Sequence, residues 1–159
     1  MKIISIDPGY ERVGIAVLEK NRGDRREAIL HSTCFKTSSK LPLTERVFLI
    51  GKEIEETVKK FSPEVLAIEK LYFENNAKTA MGVAEARGAI LYVAKSFDLN
   101  IFEYTPLQIK SAVTGYGKAT KDAIHTMVHK LVEIPKELKQ DDEIDAIAVG
   151  ITCFAYERF

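Results

Sequence analysis

The spacing of apolar residues changes repeatedly along the chain, and each change marks an element. Lys2 to Asp7, Val13 to Lys20 and Ala28 to Thr37 read as strands, the first two joined by the turn-forming Pro-Gly-Tyr-Glu-Arg. Three strands with short links predict an antiparallel meander. From Leu43 to Phe61 the residues Val47, Phe48, Ile50, Ile54 and Val58 recur at helical spacing, and Ser62-Pro63 then breaks the helix. The short run Val65 to Ile68 follows as a strand. A strand reached through a crossover helix lies parallel to its partner.

Asn76 to Phe97 reads as a second long helix and Ile101 to Tyr104 as a fifth strand. Pro106 suits the first turn of a short helix running through Val113. The stretch Thr114 to Lys121, with two glycines and no apolar period, is a loop. Helices at Lys121 to Val132 and at about Asp142 to Tyr156 finish the chain. The order βββαβαβααα predicts an α/β fold with a mixed five-stranded sheet flanked by helices.

At 159 residues with 46% apolar content, residues 1–159 fit one domain around one core. No apolar stretch reaches membrane-spanning length, and Lys-Ile-Ile-Ser-Ile does not open like a signal peptide. The expectation is a cytoplasmic protein with no membrane partner. Cys34 and Cys153 lack any metal-binding or redox spacing and are expected to be reduced thiols. With 23 basic and 23 acidic residues the chain is neutral, which weighs against a nucleic-acid binder unless the charge is polarised. Acids gather at Glu53, Glu55 and Glu56 and around Asp141 to Glu143. A basic set remains at Lys70, Lys78, Arg87, Lys110, Lys118, Lys121 and Lys130.

Four acids stand where apolar runs begin or end: Asp7, Glu69, Asp142 and Asp145. Two carboxylates closing different strands and two more on one helical face would form an all-oxygen pocket suited to Mg²⁺ or Mn²⁺. Such a pocket serves phosphodiester cleavage, because two ions about 3.5 to 4 Å apart activate water, shield phosphate charge and stabilise the departing oxygen. Each acid also has a plainer reading. Asp-Pro-Gly is a turn sequence, Glu69 can pair with Lys70, and acids favour the start of a helix. Their coincidence is what singles them out. Asp142 and Asp145 stand at i and i+3, Asp141 and Asp145 at i and i+4, and spacing does not choose between them.

In order along the chain, Ile-Asp-Pro-Gly with Val-Gly-Ile-Ala-Val, Ala-Ile-Glu with Leu-Tyr-Phe and Asn-Ala, Glu-Ala-Arg-Gly, Phe-Glu-Tyr-Thr, Gln-Ile-Lys, Val-Thr-Gly-Tyr-Gly-Lys-Ala-Thr-Lys and Asp-x-x-Asp-Ala-Ile-Ala form one ordered set. This set resembles the bacterial RuvC family of Holliday junction resolvases, over nearly the whole chain. The resemblance implies a ribonuclease-H-like fold, a homodimer, and Mg²⁺-dependent nicking of two strands of a four-way DNA junction, with two ions per site and Mn²⁺ able to substitute. It implies RuvA and RuvB, the branch-migration complex, as partners. The family's catalytic and metal-binding acids fall on Asp7, Glu69, Asp142 and Asp145, its pattern preferring Asp142 to Asp141.

The resemblance also places Lys110 and Lys121 near the scissile phosphate, where a lysine acts as a point charge. The family's base-stacking aromatic falls on Tyr72, with Phe73 beside it. Lys78, Arg87 and Lys118 complete the expected DNA contacts, Arg87 having the alternative of pairing with Glu85 or another nearby acid. His125 and His129 have the i and i+4 spacing of helical zinc ligands, but no Glu or Cys accompanies them, so phosphate-facing or exposed imidazoles are expected. Ala80, Ala84 and Gly88 form a small-residue stripe, to be packed on the sheet or used as a dimer face. Three rivals remain: a related nuclease acting on structured RNA, an actin-like ATP-binding module, for which the chain is too short, and a non-catalytic junction-binding protein.

Overall fold

The computed structural model describes residues 1–71, 77–132 and 140–157, and no side-chain detail is given for residues 77 and 78. Five strands form one sheet: β1 (Lys2–Asp7), β2 (Arg12–Glu19), β3 (Ala28–Lys36), β4 (Val65–Glu69) and β5 (Asn100–Tyr104). Their order across the sheet is β3-β2-β1-β4-β5. The meander β1-β2-β3 is antiparallel, whereas β4 and β5 run parallel to β1. The crossovers to β4 and β5 pass through α1 (Leu43–Phe61) and α2 (Ala77–Ser96), as parallel strands require. The chain ends in α3 (Pro106–Thr114), α4 (Lys121–Leu131) and α5 (Asp141–Tyr156).

Because side chains alternate along a strand, the central strands feed two cores. Ile4, Ile6, Ile15, Val17, Leu66 and Ile68 face one way and bury Ile50 and Ile54 of α1 with Ala86, Ile90 and Ala94 of α2. Ile3, Ala16, Leu18, Val65 and Ala67 face the other way and bury α5 through Ala146, Ile147 and Val149, with α3 and α4 outside it. Ser32, Ala16, Ser5 and Ala67 make one row of small residues across the α5 face. A Cβ on Gly150 of α5 would lie 2.8 Å from Ser5 Oγ and 2.6 Å from Leu18 Cδ1, so this helix lies close against the sheet.

The helical stripes differ in part from the expectation. Arg46 is buried in α1 while Phe48 is exposed beneath Lys52, because Phe48 lies off the line through Ile50, Ile54 and Val58. On α2 the buried line is Gly82, Ala86 and Ile90, so Ala84 and Gly88 are not packed on the sheet. They face outward, and a Cβ on Gly88 would meet nothing within 4 Å.

Candidate active site

Asp7 and Glu69 end two neighbouring parallel strands. Ile3 pairs with Val65 and Ile6 with Ile68, a register that continues to set Asp7 beside Glu69. Alternation from Ile3 and Ser5, and from Val65 and Ala67, turns both carboxylates towards α5. On the other side of Asp7 the same row continues through Gly14 of β2 to Cys34 of β3. A Cβ at Gly14 would lie 2.0 Å from the Asp142 carbonyl oxygen and 3.2 Å from Ala146 Cβ. The absent side chain lets the first turn of α5 descend onto the sheet end, and with it Asp142 and Asp145.

This convergence has an electrostatic signature. Burial pushes the Asp7 carboxyl well above its usual range, and Glu69, Asp145 and Asp142 push it further, against the pull of Lys121. Glu69 is pushed up to about 7 by burial and by Asp145, opposed by Lys110. Two amines and a guanidinium answer this crowding. Lys121 Nζ lies 2.9 Å from Asp145 Oδ2 and 3.5 Å from Asp141 Oδ2. Burial alone would lower the Lys121 pKa, but Asp145 and Asp141 together outweigh it and the net change is upward. Arg12 donates to Asp142 Oδ2 and, at 3.3 Å, to Gln140 Oε1, while the Cys34 thiol donates to the same Asp142 oxygen at 3.5 Å.

Beside the carboxylates opens a cleft of about 260 Å³ lined by Glu69, Lys110, Lys121 and Asp145 over a floor of Pro106, Ile109 and Ile124. Helix capping fixes its basic walls. Thr105 and Gln108 form a reciprocal capping box at the start of α3, which carries Lys110. Thr120 caps α4 by accepting from the Ala123 amide, placing Lys121 at the first helical position.

The turn after Asp7 is clamped from the other side of the sheet. The buried Arg46 guanidinium lies 4.6 Å from the centre of the Tyr10 ring, and its Nε donates to Thr37 Oγ1 at 2.9 Å. The Thr37 hydroxyl donates to the Tyr10 carbonyl at 2.6 Å, and its amide to the Glu11 carbonyl at 3.0 Å. Gly82 of α2 leaves room for the Tyr10 ring, since a Cβ there would stand 3.1 Å from it.

The structure therefore brings Asp7, Glu69, Asp142, Asp145, Lys110 and Lys121 to one end of the sheet. Asp142 is the inward member of its pair, with a side chain 20% exposed against 65% for Asp141. Lys118 is exposed in the segment between α3 and α4. Arg87 pairs with Glu103 of β5 at 2.9 Å rather than with Glu85, its side chain 18% exposed. Tyr72 and Phe73 lie outside the described residues, as does the side chain of Lys78. The two α4 histidines part company: His129 is exposed, whereas His125 Nε2 faces Asp145 Oδ1 at 3.7 Å. Sequence reasoning missed Arg12, Arg46 and Cys34. Arg12 had one faint signal, its alternation with Gly14, Ala16 and Leu18 on the α5 face.

A match to a known family adds to this geometry. The family model described as "Crossover junction endodeoxyribonuclease RuvC" matches residues 3–153. The chain belongs to the RuvC family. The RuvC of Thermosipho melanesiensis is 42% identical over 157 residues, covering 99% of this chain and 98% of the relative. That of Desulfitobacterium hafniense is 40% identical over 156 residues, covering 98% and 93%. Among solved structures, Thermus thermophilus RuvC in complex with a Holliday junction substrate superposes with a TM-score of 0.90 at 31% identity, covering 98% of this chain and 94% of that one. The yeast mitochondrial Holliday junction resolvase, at 15% identity and a TM-score of 0.68, shares the fold over 96% of this chain and 79% of its own. The fold is accordingly ribonuclease-H-like, as the resemblance implied.

RuvC-family enzymes are metal-dependent nucleases, and the donor set here fits a hard divalent cation. The carboxyls of Asp7 and Glu69 are held at raised proton affinity by burial and by neighbouring acids, Glu69, Asp145 and Asp142 for Asp7 and Asp145 for Glu69, a cost that a bound cation would remove. Among the described residues no three His, Cys, Asp or Glu side chains yet converge at metal-binding distance. Asp145 and Asp142 are instead turned to Lys121 and Arg12.

Proposed function

We propose that this chain resolves four-way DNA junctions by paired, symmetric nicks in opposed strands, in homologous recombination and repair, with Asp7, Glu69, Asp142 and Asp145 as ligands for two Mg²⁺ ions that Mn²⁺ can replace. The observation that carries the reading is the meeting of Glu69 and Asp145 with Lys110 and Lys121 at one open cleft, with Asp7 beside it in electrostatic reach of Glu69, Asp145 and Asp142, in a chain of the RuvC family. Bound divalent cations would supply an activated water and shield the charge of the phosphate. Everything else falls to the chain's own residues. Asp7 and Glu69 anchor the donor set on rigid strand ends, where burial resists their movement. Lys110 and Lys121, at the wall of the cleft, oppose the charge of the scissile phosphate and of the oxygen that departs from it. The apolar floor of Ile109 and Ile124 limits competing water.

Tyr72 and Phe73 are proposed to stack on bases splayed at the junction centre, with Lys78 and Lys118 on the backbone beyond. A four-way junction is nearly two-fold symmetric, so the working unit is proposed to be an isologous homodimer. Its face is the outer side of α2, where Ala84 and Gly88 are flanked by Met81 and Tyr92, 73% and 76% exposed. RuvA and RuvB are the proposed partners. The test is incubation of the purified protein with labelled four-way junctions, linear duplex and structured RNA, with and without Mg²⁺. Paired nicks confined to the junction and to metal-containing samples are expected. Cleavage of the RNA alone would favour the RNA nuclease, and binding without cleavage under any metal would favour a non-catalytic binder.

A further inference from the structure

His125 has no assigned role, and its surroundings give it one. It stands one turn after Lys121 on α4, and its side chain is 21% exposed. Its Nε2 atom is buried and makes no hydrogen bond, a state that a structural histidine avoids and that often marks an ion or water site. It faces the carboxylate of Asp145, whose Oδ1 lies 3.7 Å away, beyond hydrogen-bonding reach. The other oxygen of the same carboxylate is taken by Lys121 at 2.9 Å. One nitrogen and one oxygen thus face each other across a gap.

That gap is slightly wider than a shared cation would set. Two donors each about 2.1 Å from one ion, subtending 90° to 120°, lie roughly 3.0 to 3.6 Å apart. A side-chain adjustment of a few tenths of an ångström would bring His125 and Asp145 into that range. The residue four positions on, His129, is exposed and offers a control within the same helix.

We propose that His125 supplies a nitrogen ligand to the divalent cation held by Asp145, so that one metal position of this chain is mixed oxygen and nitrogen. The proposal rests on the metal-site reading above. Imidazole suits borderline transition metals better than Mg²⁺, so His125 biases the site towards Mn²⁺.

The test uses the full-length, DNA-free protein loaded with Mn²⁺, examined by pulsed electron paramagnetic resonance after labelling histidine with ¹⁵N. A nitrogen coupling that changes from ¹⁴N to ¹⁵N on labelling is expected. It should vanish in His125→Gln and persist in His129→Gln. By titration, His125→Gln should weaken Mn²⁺ binding about tenfold and Mg²⁺ binding by less than about twofold. Mn²⁺ binding that depends on Asp7 but carries no histidine coupling would overturn the role of His125 alone. Absence of any Asp7-dependent Mn²⁺ binding would overturn the metal site together with it. A wild-type spectrum with no histidine coupling overturns the proposal even if His125→Gln folds poorly, and loss of the coupling in His129→Gln would overturn it from the other side.

Discussion

Arg12, the first residue of β2, donates to the carboxylate of Asp142, 130 positions later in the first turn of α5. The pair joins the two ends of the fold at the candidate metal site, with Gln140 as a second acceptor. In the DNA-free protein Arg12 acts as a tethered counter-cation competing for Asp142. Arg12→Ala should therefore tighten Mg²⁺ binding, by no more than about fivefold because the arginine is exposed and screened by solvent. Isothermal titration without DNA reads this directly. Weaker binding in the variant would mean that Arg12 organises the ligand rather than competing for it.

Glu69 predicts a pH dependence. Its folded-state pKa is raised from 4.5 to about 7, so the uncharged form is the one the metal-free fold prefers. Its favourable contribution is complete below about pH 4.5 and is lost as pH rises through about 7, to a limit on the order of 3 kcal/mol. In EDTA, Glu69→Gln should thus gain melting temperature over wild type progressively between those values. Adding Mg²⁺ should raise the wild-type melting temperature and narrow the difference. A difference independent of pH would show that Glu69 is not strained by its charge.

Asp7→Asn should behave as a stabilised but inactive protein. The buried carboxyl is pushed up by burial and three acidic neighbours, and the amide keeps its volume without the charge. Junction cleavage should fall at least a hundredfold while gel-shift affinity changes little. In EDTA its gain in melting temperature over wild type should grow as pH rises above the ordinary carboxylate range, since the wild-type carboxyl must then either hold its proton or bury a charge. Cleavage within tenfold of wild type would remove Asp7 from the site.

The neighbouring acids should separate cleanly. Asp142 is turned inward beside Arg12 and Cys34, whereas Asp141 is exposed at the edge near Lys121. Asp142→Asn is expected to abolish nicking and Asp141→Asn to retain most of it. The reverse order in a single-turnover assay would move the ligand to Asp141.

Gly14→Ala tests the approach of α5. The added methyl meets a backbone oxygen, not a flexible side chain, so the helix must move. We expect a loss of roughly 1 to 3 kcal/mol in urea unfolding, together with weaker Mg²⁺ binding, because Asp142 and Asp145 ride on that helix. Unchanged stability would show that the first turn of α5 is not held against β2.

Much of this was legible in the chain itself, because it depends on short-range physics. Alternation at period two, helical spacing and turn residues act over a few positions, so the ten elements of the described residues emerged from the sequence with ends shifted by a residue or so. Asp7, Glu69 and the acids opening the last helix stand out for the same reason, since each closes or opens an apolar run, whereas the preference for Asp142 over Asp141 comes from the family resemblance alone. Other relationships are set only when distant segments pack. No local pattern makes Gly14 the opening for α5, or Arg46 the clamp of the Tyr10 turn, since each answers to a neighbour on another element. The α2 stripe stays open in the sequence between the sheet and a dimer face, because Gly82, Ala86 and Ile90 offer the same spacing as Ala80, Ala84 and Gly88. Only the sheet decides which of two equivalent faces of a helix is buried. The pairing of His125 and Arg12 with carboxylates of α5 is likewise tertiary, because a charge finds its partner by position in space and not by distance along the chain.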